Sequence, residues 1–411
     1  MRKILAKLIS SFIPVRKWRY KTRAFIMGDF IPLFIIKARY RRKIKELKSK
    51  QIINIAFFIW ENQKWNGDAL YKKFMTDKRF NPKAYILHNN LDTKADEDNL
   101  EFFKQRDYNS VNATDNNLSR YEFDIIFYQQ AWFVLSDTSL SPAKMSKYAL
   151  CLYYHYAISD TTVFPNIWKS CEYFFQSIYA YFVFNEEIRK QSLENAIATG
   201  HPKLDIYSSP VKTSIWKTKK FKIIYAPHHS FEKGSLEWAT FCWNGYEILE
   251  LAQKNQQSTE WIFKPHPSFK RHALLAKIMT EQEIDEYFSS WVKVGQIYDM
   301  GDYFDMFRTS DMLITDCGSF LTEYLPTENP VLHLLNSDKQ IFSRLERRSS
   351  EHYYKIHNLQ ELNQMFDTLV RKKRDSLRPE RLKDIKNIFS SGFNATDNIY
   401  KYVKSLAKEN K

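Results

Sequence analysis

Residues 310–335, SDMLITDCGSFLTEYLPTENPVLHLL, decide the fold that this chain can adopt. A short apolar strand is predicted at Met312–Thr315, and a tight turn follows at 316–319. A short helix at 320–325 and a second apolar strand at 331–335 complete the stretch. Strand, helix and strand in this order predict a parallel α/β unit.

The turn Asp316-Cys317-Gly318-Ser319 has the features of a phosphate site. The first N–H groups of a helix are free, and the helix dipole favours an anion beside them. Gly318 would let the backbone approach a ligand closely, and Ser319 would act as N-cap and hydroxyl donor. An ordinary capped helix explains this turn equally well, so residues elsewhere have to decide.

The rest of the chain alternates strands and helices in the same way. Further strands are predicted at 52–60, 84–87, Ile125–Tyr128, 149–154, Phe221–Ala226 and 261–263, and helices at Asp68–Met75, 186–198, 246–254, 359–371 and 379–407. This alternation predicts parallel sheets that bind ligands at the carboxyl ends of their strands. A polar stretch at 206–220 is predicted to link two domains.

The positive charge is concentrated in residues 1–50, which hold 16 of the 62 Lys and Arg but only 2 of the 47 Asp and Glu. The rest of the chain is therefore nearly neutral, which argues against a nucleic-acid-binding body.

The basic segment also has an apolar side: Ile4, Leu5, Leu8, Ile9 and Phe12 recur at helical spacing. A second basic helix is predicted at 37–50. Such helices lie on an anionic membrane surface without crossing it. The alternative is a basic arm that packs on the body of the protein.

The common sequence motifs for binding metal ions and nucleotides do not occur in this chain. The four cysteines form no CxxC pair, which indicates free thiols in a reducing compartment and no structural zinc site. There is also no HExxH motif, carboxylate cluster, Walker motif or dinucleotide-binding glycine pattern. We therefore expect no bound metal ion and no tightly held cofactor.

Several polar residues come directly after predicted strands. They are His155, His228, His229, Lys264, His266, Asp316 and Ser319. A single histidine in such a place is more often structural than functional. Because the carboxyl ends of parallel strands meet at one edge, the residues after 226, 263 and 315 should be neighbours. Together they would bind a polyanion well.

The motifs FIWENQKWNGDALYKKF, HY, TGHPKLD, IYAPHHS, FKPHPS and ITDCGSFLTEYLPTENPVLHL occur in this order. Because of these motifs and their order, residues 52–340 resemble the CDP-glycerol glycerophosphotransferase family of teichoic-acid and capsule polymer biosynthesis. The resemblance implies a GT-B fold, in which two Rossmann-like domains with parallel sheets enclose an interdomain cleft. The expected division is a basic membrane-associating segment at 1–50, an acceptor domain at 51–207, a nucleotide-donor domain at 208–385 and a closing helix at 386–411.

The resemblance also implies roles for individual residues. His155 corresponds to the catalytic base, with Tyr156 standing where the family has glycine, and His228 is the next candidate. The positions that correspond to donor binding are Tyr225, Pro227, His229, Lys264, His266, Thr315, Asp316, Gly318, Ser319 and Glu323. A histidine base suits the chemistry, since its pKa lies near neutrality.

The expected function is transfer of a polyol phosphate from a CDP-linked donor to a lipid-linked or polymeric glycan acceptor, with no metal required. The expected location is the cytoplasmic face of the bacterial inner membrane, as a peripheral protein. The alternative is a GT-B glycosyltransferase that uses a nucleotide-sugar donor in capsule or lipopolysaccharide synthesis. A scaffold without activity is a third interpretation, since Tyr156 replaces the family glycine.

Overall fold

The computed structural model describes residues 10, 11, 14, 19, 22, 30–89, 94–115, 117–133, 138–158, 165–212, 214–232, 236–299, 302–337 and 342–408, and only the backbone at 165–170. The described residues form two compact units. Unit 1 comprises those within Met1–Ala157, Phe164–Asp205 and Ser391–Lys411, and unit 2 those within Ile158–Val163 and Ile206–Ser390.

Each unit is built on one parallel sheet. The strands are β1 Ile53–Ile59, β2 Phe80–Leu87, β3 Ser110–Ala113, β4 Ile125–Tyr128, β5 Leu150–Tyr154, β6 Ala180–Val183, β7 Ala196–Ala198, β8 Phe221–Ala226, β9 Thr259–Phe263, β10 Gln296–Ile297, β11 Met312–Thr315, β12 Val331–Leu334 and β13 Tyr354–Ile356. In the described part of unit 1 the order is β3-β2-β1-β4-β5-β6-β7, and in that of unit 2 it is β10-β9-β8-β11-β12-β13. The central strands are buried throughout, as expected when helices cover both faces.

Helices connect the strands. They are α1 Leu33–Ser49, α2 Asp68–Met75, α3 Lys94–Lys104, α4 Pro142–Met145, α5 Pro165–Ser177, α6 Glu186–Gln191, α7 Phe241–Lys254, α8 Phe269–Leu275, α9 Glu281–Val294, α10 Phe304–Arg308, α11 Gly318–Tyr324, α12 Arg344–Ser350, α13 Leu359–Phe366, α14 Arg378–Ile388 and α15 Ala395–Leu406. No described helix is long and apolar enough to cross a membrane.

The predicted strands are all present, but two helix predictions are wrong in part. The helix predicted at 186–198 ends at Gln191, and β7 follows it. The side chain of Asn195 donates hydrogen bonds to the carbonyls of Phe175 and Ile178, which fixes the start of this strand. The helix predicted at 379–407 is two helices, separated where Gly392 has a φ of +68°, a value that favours glycine.

The helix α1 packs into the core of unit 1. Its residues Ile36, Tyr40 and Leu47 are buried, and the Tyr40 hydroxyl donates to the carbonyl of Ser177 over 2.7 Å. The sequence predicts that residues 1–50 form a segment separate from the body. The described part of that segment instead belongs to the unit 1 fold, whereas the apolar positions between Ile4 and Phe12 lie outside the described residues.

The last helix, α15, also packs into unit 1 rather than forming a separate closing element. The Asp205 carboxylate accepts hydrogen bonds from the N–H groups of Ala395 and Thr396 at its start. Near its end, Tyr400 and Lys404 both donate to Asp77 over 2.7 Å. A carboxylate at a helix N-terminus is favourable because free N–H groups point towards it.

We predict that Leu47→Ala lowers the free energy of unfolding by about 2–5 kcal/mol, since it opens a cavity in the unit 1 core. The matched control is Phe34→Ala on the same helix, whose side chain is 73% exposed and should change stability by roughly 0.5 kcal/mol or less. Urea unfolding of both variants measures the difference. Equal stabilities would show that α1 does not contribute to the core.

Candidate active site

Polar residues gather at the carboxyl edge of the unit 2 sheet, after three adjacent strands. Lys264 and His266 follow β9, His228 and His229 follow β8, and Asp316 follows β11. The N–H of His266 donates to the carbonyl of Pro227 over 3.2 Å, so the first two loops are joined. The structure therefore brings these residues together as the strand ends predict.

Four imidazole rings form a cluster at this edge. The ring centroid of His229 lies 3.8 Å from that of His266, 4.3 Å from that of His228 and 4.7 Å from that of His272. His272 lies on α8, and the sequence analysis missed it because a lone histidine in a helix carries no signal. Burial lowers the pKa of His229 to about 4 and that of His228 well below its usual value, and the neighbouring histidines act in the same direction.

Three of these rings also satisfy the spacing of a metal site. One nitrogen from each of His228, His229 and His266 lies within 4.8 Å of the other two. Neutral imidazole suits zinc and other transition metals. By distance alone the cluster could therefore hold either a metal ion or an anion.

Asp316 is a positioning residue. Its carboxylate is 1% exposed and accepts hydrogen bonds from the N–H of His228 at 2.6 Å, the N–H of Thr240 at 2.7 Å and the Thr240 hydroxyl at 2.8 Å. Burial raises the pKa of Asp316 to about 6, and these hydrogen bonds oppose the rise. The preceding Thr315 is also buried, and its hydroxyl donates to the carbonyl of Ala226. Both residues hold loops in place.

Three other predicted donor-binding residues have structural explanations. Tyr225 lies in the core and donates its hydroxyl to Asn244 over 2.9 Å. A Cβ atom on Gly318 would lie 2.8 Å from the Trp238 ring, so packing by itself favours glycine here, and its approach to a phosphate stays a prediction. Ser319 is not the N-cap that the sequence predicts: Cys317 precedes α11, and the Ser319 hydroxyl lies 3.4 Å from its sulfur.

Lys264 and Glu323 belong to a buried aromatic network in unit 2. Lys264 is 5% exposed, and its ammonium lies 4.7 Å from the ring centroid of Tyr303. The Tyr303 hydroxyl donates to the Glu323 carboxylate, which is 1% exposed. Burial, followed by the negative charge of Glu323, raises the pKa of Tyr303 well above its usual value. Tyr303 is a further residue that the sequence analysis missed.

In unit 1, His155 follows β5 at the carboxyl edge of the other sheet. Its Nδ1 lies 2.9 Å from the carbonyl oxygen of Ala157 and 3.1 Å from the nitrogen of the same residue. Burial lowers the pKa of His155 to about 4, so the ring is neutral at pH 7. Trp132 and Tyr156 lie beside it, with ring centroids at 6.2 and 4.8 Å.

The comparison with known families decides the class of protein. The sequence profile of the CDP-Glycerol:Poly(glycerophosphate) glycerophosphotransferase family matches residues 139–373, more than half of the chain. The chain belongs to this family. The match covers β5 to β13 of this glycerophosphotransferase family member. It therefore includes both His155 and the imidazole cluster. No curated protein matches the chain in a sequence search.

Solved structures show the same fold. The UDP-GlcNAc 2-epimerase from Neisseria meningitidis bound to UDP-GlcNAc is similar, with a TM-score of 0.59, 14% identity and coverage of 86% of this chain and 100% of that one. A putative UDP-N-acetylglucosamine 2-epimerase from Listeria monocytogenes has a TM-score of 0.58 and 13% identity, and the match covers 88% of this chain and 98% of that one. The S. aureus MnaA–UDP co-structure has a TM-score of 0.57 and 14% identity, and the match covers 88% of this chain and 99% of that one. These likenesses confirm the predicted GT-B fold class, as fold alone.

The buried neutral histidines predict a loss of stability in acid. Burial lowers the pKa of a set of four described histidines, to about 4 for His155 and His229 and to about 3 for His201 and His333. Below pH 6.5 the histidines of the unfolded chain bind protons, whereas the native rings stay neutral. The free energy of unfolding therefore falls as pH drops towards 4. The raised pKa of Asp316 acts in the opposite direction below pH 6, but it is one group against these four and His228, whose pKa burial also lowers.

The test is a urea unfolding series from pH 7.5 to pH 5 on the wild type and His333→Gln. His333 is 1% exposed on β12, and each such histidine contributes a slope that approaches about 1.4 kcal/mol per pH unit well below pH 6.5. The variant should therefore show a shallower loss of stability in acid, whatever its stability at pH 7.5. An unchanged slope would contradict the assignment of His333 as a neutral ring.

Proposed function

We propose that the protein transfers a polyol phosphate, such as glycerol phosphate, from a CDP-activated donor to a hydroxyl of a cell-surface polymer or its lipid-linked precursor. Family membership supports the class of reaction. The structural observation that carries the proposal is the imidazole cluster, in which the buried His229 Nδ1 has no hydrogen-bond partner among the described residues. Several N–H donors, together with the Lys264 ammonium at the end of the adjacent strand, suit the diphosphate of such a donor.

In the proposed reaction, the acceptor oxygen attacks the phosphorus that bears the polyol. A new P–O bond forms, the bond from this phosphorus to the bridging oxygen of the diphosphate breaks, and CMP leaves. His155 takes the proton of the acceptor hydroxyl. The imidazole cluster and Lys264 stabilise the charge on the departing CMP phosphate. Since these groups supply the positive potential, the proposal includes no metal ion.

His155 is neutral at pH 7, as a general base must be. A pKa of about 4 is low for this role, because bases work best near the operating pH. A negatively charged substrate group close to the ring would raise this pKa, since an opposite charge favours the imidazolium.

A donor screen tests the proposal. CDP-glycerol or CDP-ribitol at a hundred times its Kd should stabilise the protein by about 2.7 kcal/mol, whereas UDP-sugars and CMP-sugars at the same concentration should not. Mass analysis of the product then identifies the transferred group. Stabilisation by a nucleotide-sugar alone would favour a glycosyltransferase instead.

We predict that His155→Ala lowers turnover roughly a hundredfold or more and leaves CDP affinity nearly unchanged. The control is His357→Ala, a partly exposed histidine outside the proposed site that pairs with Glu361. Steady-state kinetics and calorimetry with CDP separate the two effects. Near-normal turnover of His155→Ala would place the base elsewhere.

We further propose that the basic N-terminal segment holds the enzyme on the anionic cytoplasmic face of the inner membrane, where the acceptor is anchored. Within the described part, one side of α1 is buried and the other is basic. Lys37, Arg41 and Lys45 are exposed at successive helical turns, with the exposed Phe34 beside them. A basic face with an apolar anchor suits a membrane surface.

Replacing Lys37, Arg41 and Lys45 together by glutamine should therefore weaken vesicle binding without unfolding α1. Each basic residue near an anionic surface contributes about 1 kcal/mol, so we expect a loss of roughly a hundredfold. Replacing the exposed Lys217, Lys219 and Lys220 by glutamine is the matched control in unit 2. Co-sedimentation with anionic and neutral vesicles measures the difference. Equal binding by both triple variants would contradict a membrane role of α1.

A further inference from the structure

A repeated hydrogen bond fixes the histidines that follow strands. The backbone N–H two residues later donates to the Nδ1 atom of the ring. It occurs in His201–Lys203 at 3.2 Å, His228–Ser230 at 3.2 Å and His266–Ser268 at 3.0 Å. An N–H group can only donate, so the Nδ1 atom that receives it bears a lone pair. In a neutral ring the proton then lies on Nε2.

His201 provides an independent check of this rule. Its Nε2 atom lies 2.8 Å from the carbonyl oxygen of His155. A carbonyl oxygen only accepts, so this Nε2 must carry the proton. The partner of Nε2 therefore gives the same tautomer as the partner of Nδ1.

At His228 a second partner strengthens the assignment. The Ser230 hydroxyl lies 2.8 Å from the Nδ1 atom and accepts a hydrogen bond from the N–H of Trp238 at 3.0 Å. The hydroxyl can therefore direct its own proton to Nδ1. This contact agrees with a lone pair on Nδ1, and the backbone N–H of Ser230, which can only donate, fixes the assignment.

We infer that His228 and His266 bind their ligand as neutral Nε2–H donors to diphosphate oxygens, and that neither ring serves as a base or as a metal ligand. This inference rests on the proposed function and names the chemistry of its donor site. A base or a metal ligand would need a lone pair on Nε2. A lone pair on Nε2 would move the proton to Nδ1. That proton would then face the backbone N–H two residues later, whose direction the peptide backbone fixes.

His155 differs from these two rings in one contact. Its Nδ1 lies within 2.9 Å of the carbonyl oxygen of Ala157, so an Nδ1–H can donate there. In that tautomer the lone pair lies on Nε2, where a base needs it. The N–H of Ala157 at 3.1 Å requires the opposite tautomer, so the contacts at His155 do not fix one proton position, whereas the N–H of Ser230 fixes that of His228.

Glutamine and asparagine substitutions test the proton positions, because the glutamine amide places an N–H donor near Nε2 and asparagine places one near Nδ1. His228→Gln and His266→Gln should keep CDP affinity within about fivefold. The corresponding asparagine and alanine variants should lose about 10- to 100-fold, the size of one hydrogen bond to a charged group. Calorimetry with CDP and with inorganic pyrophosphate measures these changes, and melting curves check that each variant folds. Equal losses in the glutamine and alanine variants would overturn the inference.

A measurement without any ligand tests the same point directly. In protein with ¹⁵N-labelled histidine, the ring nitrogens of His228 and His266 can be assigned by the signals that each glutamine variant removes. The Nε2 atoms should be protonated and the Nδ1 atoms unprotonated at pH 7.5. A proton on Nδ1 of either ring, or tight Zn²⁺ binding that His266→Gln abolishes, would overturn the inference. Failure of CDP to bind the wild type, with these tautomers observed, would instead count against the proposed function alone.

Discussion

The position of the imidazole cluster at the carboxyl edge of the unit 2 sheet depends on one buried carboxylate. A charged group inside a protein is costly unless hydrogen bonds replace its water, and Asp316 obtains three of them from the loop after β8 and from the start of α7. The backbone of His228 is thereby fixed to the end of β11. The loop after β9 is joined to the same point through Pro227. The positions of His228, His229 and His266 thus follow from the need of Asp316 for donors.

The architecture explains why these groups stand at the strand ends. The last four residues of β8 and all of β11 are buried, because helices cover both faces of a parallel sheet. A polar side chain within such a strand would have no access to water or to a ligand. Functional side chains are therefore accessible only where a strand ends, and the same constraint acts on His155 after β5.

This constraint accounts for what could be predicted from the sequence. Alternating apolar runs located the strands, and the strand ends brought His228 and His266 together. The sequence could not show that Tyr225, Thr315 and Gly318 face inward. Their partners are Asn244, the carbonyl of Ala226 and the Trp238 ring, and each lies 19 to 89 positions away or arises only from packing.

The residues that sequence reasoning missed were invisible for the same reason. His272, Thr240 and Tyr303 are single polar residues in helices and loops, without a motif around them. Their roles depend on which strand end they approach in space. The helix predicted at 186–198 failed similarly, since Asn195 is fixed by carbonyls at the end of α5 and just after it rather than by its own neighbours.

Charge repulsion gives the physical reason for a cluster of neutral rings. Two imidazolium charges 4.8 Å apart would repel by about 3.5 kcal/mol at an effective dielectric constant of 20. Three such rings in one place would therefore oppose folding before any ligand arrived. Neutral rings avoid this cost, and their N–H groups are already oriented by backbone hydrogen bonds. In the proposed reaction the positive charge is left to Lys264, and the cluster would stabilise an anion through preorganised dipoles, which need no rearrangement when charge develops on a leaving phosphate.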